Sequence, residues 1–443
     1  MARACNVFFG LAWLLALGCG SDPAATKDVN TTGGAAGAGG ASGAGGTGGT
    51  SASAGMAGAA GMAGAGGITG TGGGAGAQGG TGGTGGTGAE GGGPATDVVR
   101  HVALGFKHTC AVMTDDTLAC WGGNDRGQLG IGSHTNQRRP KLVPFDATGA
   151  RVGAGMAHTC AFHGGGDVAC WGGNDRGQLG IGSVNPTDEP FPVAVPDSSA
   201  ALAVGANHTM VRLDDGQVHA WGDNAQGQLA IATAAFETSP KLVTNLANVV
   251  HVALGGSHSC LLLENETPLC WGANADGQVG QGASATIAVP SLVVLPLACT
   301  QLALGFAHTC ALLSDGTVQC WGRNEEGQLG DGTVQTRSTP APVGVIAGAT
   351  SIVAGGNHTC ALRQGTVFCW GDNARGQVGD GTAELRTQPV QVSLDGVEAI
   401  AAGGYHTCGL RSGGKLHCWG GNDKGQVGDD STQDRAEPVA VAF

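Results

Sequence analysis

From residue 95 to residue 443 the chain alternates short apolar runs with clusters of Gly, Asp, Asn and Pro. Alternation over a few residues puts successive side chains on opposite faces of a strand, and the Gly/Asn/Asp clusters punctuate the strands as turns. The pattern predicts about four strands in each successive stretch. In the first stretch they fall near 102–104, 109–113, 117–121 and 141–145. With 86 glycines in 443 residues, a protein of long helices is excluded.

The stretches are copies of one unit. His108, His158, His208, His258, His308, His358 and His406 each stand three residues after a glycine. Trp121, Trp171, Trp221, Trp271, Trp321, Trp370 and Trp419 each precede one. The period is 50 residues for most steps and 48 to 49 at the end, with repeats beginning near 101, 151, 201, 251, 301, 351 and 400. A four-stranded sheet of this size exposes both faces and must bury them against its neighbours. Seven such units predict an all-β fold, a closed seven-bladed β-propeller. The tryptophans should pack between blades. A histidine repeated seven times cannot mark one asymmetric active site, so it reads as a buried, hydrogen-bonded strut. The last segment, 438–443, looks like the terminal strand of every other unit. Because an open ring leaves a pairing edge, this strand is expected to join the sheet begun near 98–104 and close the ring by exchange.

The unit from His308 reads His-Thr-Cys-Ala-Leu, then a short turn, then x-Val-x-Cys-Trp-Gly-x-Asn-x-x-Gly-Gln-Leu-Gly. It resembles the repeat of the regulator of chromosome condensation family, and seven copies cover residues 96 to 443. The resemblance implies a seven-bladed propeller. The activities it implies are varied: nucleotide exchange on a small GTPase, chromatin docking, ultraviolet sensing and inhibition of an enzyme by a secreted bacterial member. It therefore speaks for fold more than for function.

Six cysteine pairs recur within the units: Cys110 with Cys120, Cys160 with Cys170, Cys260 with Cys270, Cys310 with Cys320, Cys360 with Cys369, and Cys408 with Cys418. Facing Cys310 and Cys320 across a hairpin leaves the three-residue loop Ser314-Asp315-Gly316. The shorter spacing from Cys360 to Cys369 leaves the two-residue loop Gln364-Gly365. Both are common hairpin lengths. Directly opposed residues lie within disulfide range. The third unit has Met210 and Ala220 in the two slots, so both thiols are absent together. Disulfides are the preferred reading, with a metal site and reduced core thiols as rivals. His108, Cys110 and Cys120 could supply three ligands, but His208 persists in the unit without cysteines. No metal or other cofactor is therefore expected. Cys299 has no repeat partner and reads as a small apolar filler.

Two sets of positions vary between the repeats. One follows the Asn, as in Asp125-Arg126 and Asp423-Lys424, and reads as a solvated rim. The other precedes the His and includes Phe106, Lys107, Phe306 and Tyr405, the only tyrosine of the chain. These four are the candidate binding residues, since exposed aromatics serve as interface anchors. No nucleophile elbow, zinc-binding helix motif or singular carboxylate pair is present, so no catalytic residues are assigned.

The N-terminus adds an address. A short cationic start, an apolar run over 7–17 and Gly18-Cys19 form a secretory signal that resembles a bacterial lipoprotein box, with Cys19 as the lipidated residue. An ordinary signal peptide is the alternative. Residues 31–94 contain 31 glycines in 64 and cannot bury enough apolar surface to fold; with 19–30 they form a flexible linker. Fifteen cysteines favour an oxidising compartment. A net charge of −13 speaks against nucleic acid. The expected protein is a monomeric, membrane-anchored lipoprotein of the cell envelope. It would touch the membrane only through its lipid and present a propeller face to a protein or envelope ligand. A nucleotide-exchange regulator and an extracellular propeller enzyme are the alternatives.

Overall fold

A computed structural model describes residues 97–443 except 197, 233, 234, 245, 283 and 345. Cys19, the signal segment and the linker of 19–94 lie outside the described residues. The described chain forms seven four-stranded antiparallel sheets, each built from consecutive strands. In blade one the strands are Val99–Leu104, His108–Met113, Leu118–Gly122 and Gln137–Leu142. The fourth begins earlier than the sequence pattern suggests. Its outer position leaves it half-exposed, so no clean apolar alternation marks it. A single 3-10 turn, Ser412–Gly414, is the only helical element among the described residues.

Among the described residues there is no single core. Seven apolar clusters each fill one interface between neighbouring blades. The six cysteine pairs are disulfides in the pairing that hairpin spacing predicts. Cys110 is bonded to Cys120, Cys160 to Cys170, and Cys260 to Cys270. Cys310 is bonded to Cys320, Cys360 to Cys369, and Cys408 to Cys418. In every pair the Cα atoms lie 4.1 Å apart, at directly opposed positions of the central hairpin. Trp121, one residue after Cys120, takes the other face: it packs toward blade seven while the disulfide packs toward blade two. All seven tryptophans are fully buried. Burying 150–250 Å² apiece is worth roughly 4–6 kcal/mol in gross area terms. Cys299 is buried between blades four and five, where burial pushes its thiol up to about 12, so it serves as apolar filler.

The ring does not close by strand exchange. The final strand, Arg435–Ala440, pairs with Lys415–Gly420 of its own blade, and the first sheet is complete with its own four strands. Exchange is unnecessary because every blade reaches its successor through a loop. The Asn-x-x-Gly-Gln turn between third and fourth strands lies under the next blade. There the Gln128 carbonyl accepts hydrogen bonds from Trp171 Nε1 at 3.0 Å and Thr159 Oγ1 at 2.8 Å. At the seam the Gln426 carbonyl accepts the same pair from Trp121 and Thr109, at 3.0 and 2.9 Å. The first strand of blade seven lies beside that of blade one, completing the circle.

Local sequence dictates this latch. Asn124 Oδ1 accepts from Leu129 N at 2.9 Å, and its amide donates to the Ser133 and Thr135 carbonyls, pinning both ends of the loop. Gly130 turns the chain at φ 70°, and a Cβ there would lie 2.6 Å from Trp171 Nε1. Glycine meets both demands without strain, and blade three keeps the same turn with Ala230 at φ 53°.

Candidate functional site

The turns before each histidine collar one mouth of the central channel. Each turn donates a backbone N–H to the corresponding turn of the next blade. Phe106 donates to Gly155 at 3.1 Å, Met156 to Ala206 at 3.0 Å, and Gly404 to Gly105 at 3.2 Å across the seam. This collar holds rigidly a set of side chains that differs at every blade.

The post-Asn turns lie on the same face. Lys107, from a pre-His turn, pairs with Asp423, from a post-Asn turn, at 2.6 Å. The two variable sets are thus an inner and an outer ring of one surface. At the seam they meet most densely. The Phe106 and Tyr405 rings lie 4.9 Å apart at 48°. Arg375 sits over the Tyr405 ring at 5.3 Å and approaches Asp423 at 3.3 Å. Lys424 pairs with Asp125 at 3.2 Å, and Arg126 with Asp175 at 3.3 Å. Although burial works against it, hydrogen bonds from Lys107 and Gln426 hold the Asp423 carboxyl below its usual range. Burial pushes the Tyr405 phenol up, so it stays neutral. Phe106, Lys107 and Tyr405 are half-buried, each leaving part of its surface to solvent. Phe306 belongs to blade five, and its carbonyl accepts from Gly256 N at 3.2 Å. The candidate residues therefore do not form one patch: three gather at the seam and Phe306 stands apart.

The seven histidines lie beneath this face, fully buried. His108 Nε2 is 2.9 Å from Thr159 Oγ1 of the next blade. The relation repeats through His158–Thr209, His208–Ser259, His258–Thr309, His308–Thr359 and His358–Thr407, and His406–Thr109 carries it across the seam. Each of these hydroxyls spends its proton on a Gln carbonyl of the preceding blade. It can only accept from the imidazole, which fixes the Nε2–H tautomer. Burial pushes all seven rings down to about 3. They are neutral structural struts, sealed from any substrate. Gly105 makes the room, since a Cβ there would stand 2.2 Å from His108 Cε1. Among the described residues no group of three His, Cys, Asp or Glu side chains could hold a metal ion.

Residues 197–443 match the model of the RCC1-like domain, and residues 99–128, 115–162 and 165–212 match models of the regulator of chromosome condensation repeat. The chain belongs to the regulator of chromosome condensation repeat family. Among solved structures, human WBSCR16 is 23% identical, with a TM-score of 0.68 over 74% of this chain and 94% of that one. Prp20p of Saccharomyces cerevisiae, described with its binding to Gsp1p and histones, is 23% identical. Its TM-score is 0.63 over 69% of this chain and 80% of that one. A second structure holds the yeast protein bound by Kap60, at 22% identity and TM-score 0.63, over 69% of this chain and 78% of that one. At these identities the likeness is one of fold. No curated protein matches the sequence.

Sequence reasoning missed the loop latch and the basic side chains of the central channel. A signal for the latter was present: His101, Arg151 and His251 each open an apolar run, where the repeat otherwise has Ala, Gln or Ser.

Proposed function

We propose that this protein is a non-catalytic binding module whose propeller face takes a protein or cell-envelope partner at the seam of blades seven and one. The observation that carries the reading is the Phe106–Tyr405 pair. It sets two partly solvent-facing aromatic rings on a rigid collar, amid charges of both signs, where the repeats differ most. Aromatic anchors ringed by polar groups are the usual composition of an interface hot spot. The family adds precedent, since Prp20p, which shares this fold, is described as binding Gsp1p and histones. Nucleotide exchange on a cytosolic GTPase is not adopted, because six disulfides belong to an oxidising compartment. Among the described residues no helix is long and apolar enough to cross a membrane.

The anchor belongs to the same proposal. Lipid on Cys19 and the glycine-rich linker would hold the propeller off the envelope by a root-mean-square reach of roughly 45 Å. A fatty-acid probe should label the wild type and leave Cys19→Ala unlabelled.

The test of the binding face is crosslinking capture from envelope preparations by wild type, Phe106→Ala and Tyr405→Ala. A partner retained by wild type and lost at least tenfold by both variants, with melting curves unchanged, supports the seam. Equal capture by all three refutes it. Turnover of a defined substrate, abolished by one polar substitution, would refute the non-catalytic reading.

A further inference from the structure

The first strands of blades one to six line a cavity of about 240 Å³, which Arg212 of the second strand of blade three also lines. Its wall is divided. Along most of its length it is aliphatic, as at Leu254, Leu302, Leu304 and Ile352. Toward the opening beside Val250, which is 48% exposed, it carries His101, Arg151, Arg212 and His251. No acidic side chain lines the cavity, although the chain as a whole carries a net −13.

Three of the four occupy equivalent rungs. His101, Arg151 and His251 face Val112, Phe162 and Leu262 across their hairpins. Arg212 is the exception. It stands in the slot that holds those apolar residues in the other blades, opposite Ala201. In blade three, a small inner residue and a large cation have replaced a polar inner residue and an apolar neighbour.

None of these four groups has a counter-charge. Among the described residues Arg151 and Arg212 enter no ion pair. Arg212 Nη1 reaches only the Leu213 carbonyl, at 3.3 Å, and its Nε is buried without an acceptor. His101 is 4% exposed, and both its ring nitrogens are buried without a partner. The same holds for Nδ1 of His251. Burying the Arg212 Nε without an acceptor or a counter-charge is costly. His101, Arg212 and His251 thus bring buried, unpartnered nitrogens to a lining that Arg151 shares, and no carboxylate stands beside them there.

We propose that the channel binds a small organic carboxylate with a short apolar tail. The carboxylate would lie between Arg151 and Arg212, whose forked donors match its two oxygens. Neutral His101 and His251 can each add one N–H. The tail would run along Leu254, Leu302, Leu304 and Ile352. The volume has room for several waters and suits the tail of a small organic acid.

The test is calorimetric titration of the whole protein with octanoate, octanol, acetate and inorganic phosphate, with melting curves recorded alongside. Octanoate should bind at least tenfold more tightly than each of the other three and should raise the melting temperature. Arg151→Gln and Arg212→Gln should each weaken octanoate at least tenfold. Without ligand these variants should melt no lower than wild type, since each removes an uncompensated charge. Absence of octanoate binding overturns the proposal. So does octanol or phosphate binding as tightly as octanoate, or undiminished binding by both variants. The four wild-type titrations decide the matter even if a variant fails to fold.

Discussion

The ring of Phe443, the last residue, stands edge-on to Trp121 of the first blade, with centroids 6.0 Å apart at 79°. The seam is therefore finished by a side chain and not by an exchanged strand. Arg139 of blade one adds to it, donating to the carbonyls of Ala442 and Phe443 at 3.1 and 3.3 Å. Phe443→Ala should destabilise the protein by about 1–2 kcal/mol, less than the full cost of truncating a buried aromatic because Phe443 is only partly buried. Deleting 441–443 should cost more. Melting curves of both variants, compared with an equivalent truncation inside the outer strand of blade four, would check this. Equal effects at the two places would argue against a special role for the seam.

Acid should unlatch the ring. The seven histidines are pushed down to about 3 by burial, against 6.5 in the unfolded chain. The unfolded state therefore takes up protons first as pH falls. The stability from the neutral ring is complete above pH 6.5 and is lost between 6.5 and 3. The loss has the same sign at all seven histidines and steepens as the unfolded imidazoles become fully protonated. Urea unfolding followed by tryptophan fluorescence should show the midpoint dropping steeply from pH 6.5 to pH 5. A midpoint flat over that interval would contradict buried, neutral imidazoles.

Thr159→Val isolates a single strut. It leaves His108 Nε2–H without an acceptor and removes one of two donors to the Gln128 carbonyl. The cost should be about 1–3 kcal/mol, as for a buried donor left unmet. Thr159→Ser should restore most of it, since blade four already uses Ser259 in this role. Failure of serine to rescue would show that the methyl group, not the hydroxyl, carries the stability.

Blade three invites a seventh disulfide. Met210 and Ala220 are directly opposed in the register that the cystine pairs occupy elsewhere, as Cys260 and Cys270 do in blade four. Met210→Cys with Ala220→Cys should oxidise quantitatively, detectable as a mass loss of about two hydrogens. Loop closure should stabilise by about 2–3 kcal/mol, less the packing of the Met210 side chain, which is fully buried. Chemical denaturation with and without reductant would read the difference.

Most of the architecture was legible because it repeats. One hairpin residue fewer between Cys360 and Cys369 was enough to derive the two-residue loop Gln364-Gly365, which the structure shows with both residues at positive φ. The ring closure was not legible, because the carbonyl of Gln426 carries no mark in the sequence. A backbone acceptor is the same for every residue type, and its partner Trp121 lies 305 positions away. The seam cluster was half legible. Phe106 and Tyr405 stood out as irregular aromatics, but their adjacency depends on closure, and Phe306 offered the same signal from a separate blade. Arg212 was hidden because an arginine in an inward slot of a strand looks like any exposed one until the register is known.

The latch runs in one direction, and that gives the protein a timetable. Each of blades two to seven is held by the loop of the blade before it in the chain. Blade one takes that loop from blade seven. The face carrying Val102, Leu104 and Trp121, buried in the finished ring, must wait for a carbonyl synthesised 305 residues after Trp121. The face of blade one that meets blade seven is thus the last to be covered, and until then it is the surface most in need of a chaperone.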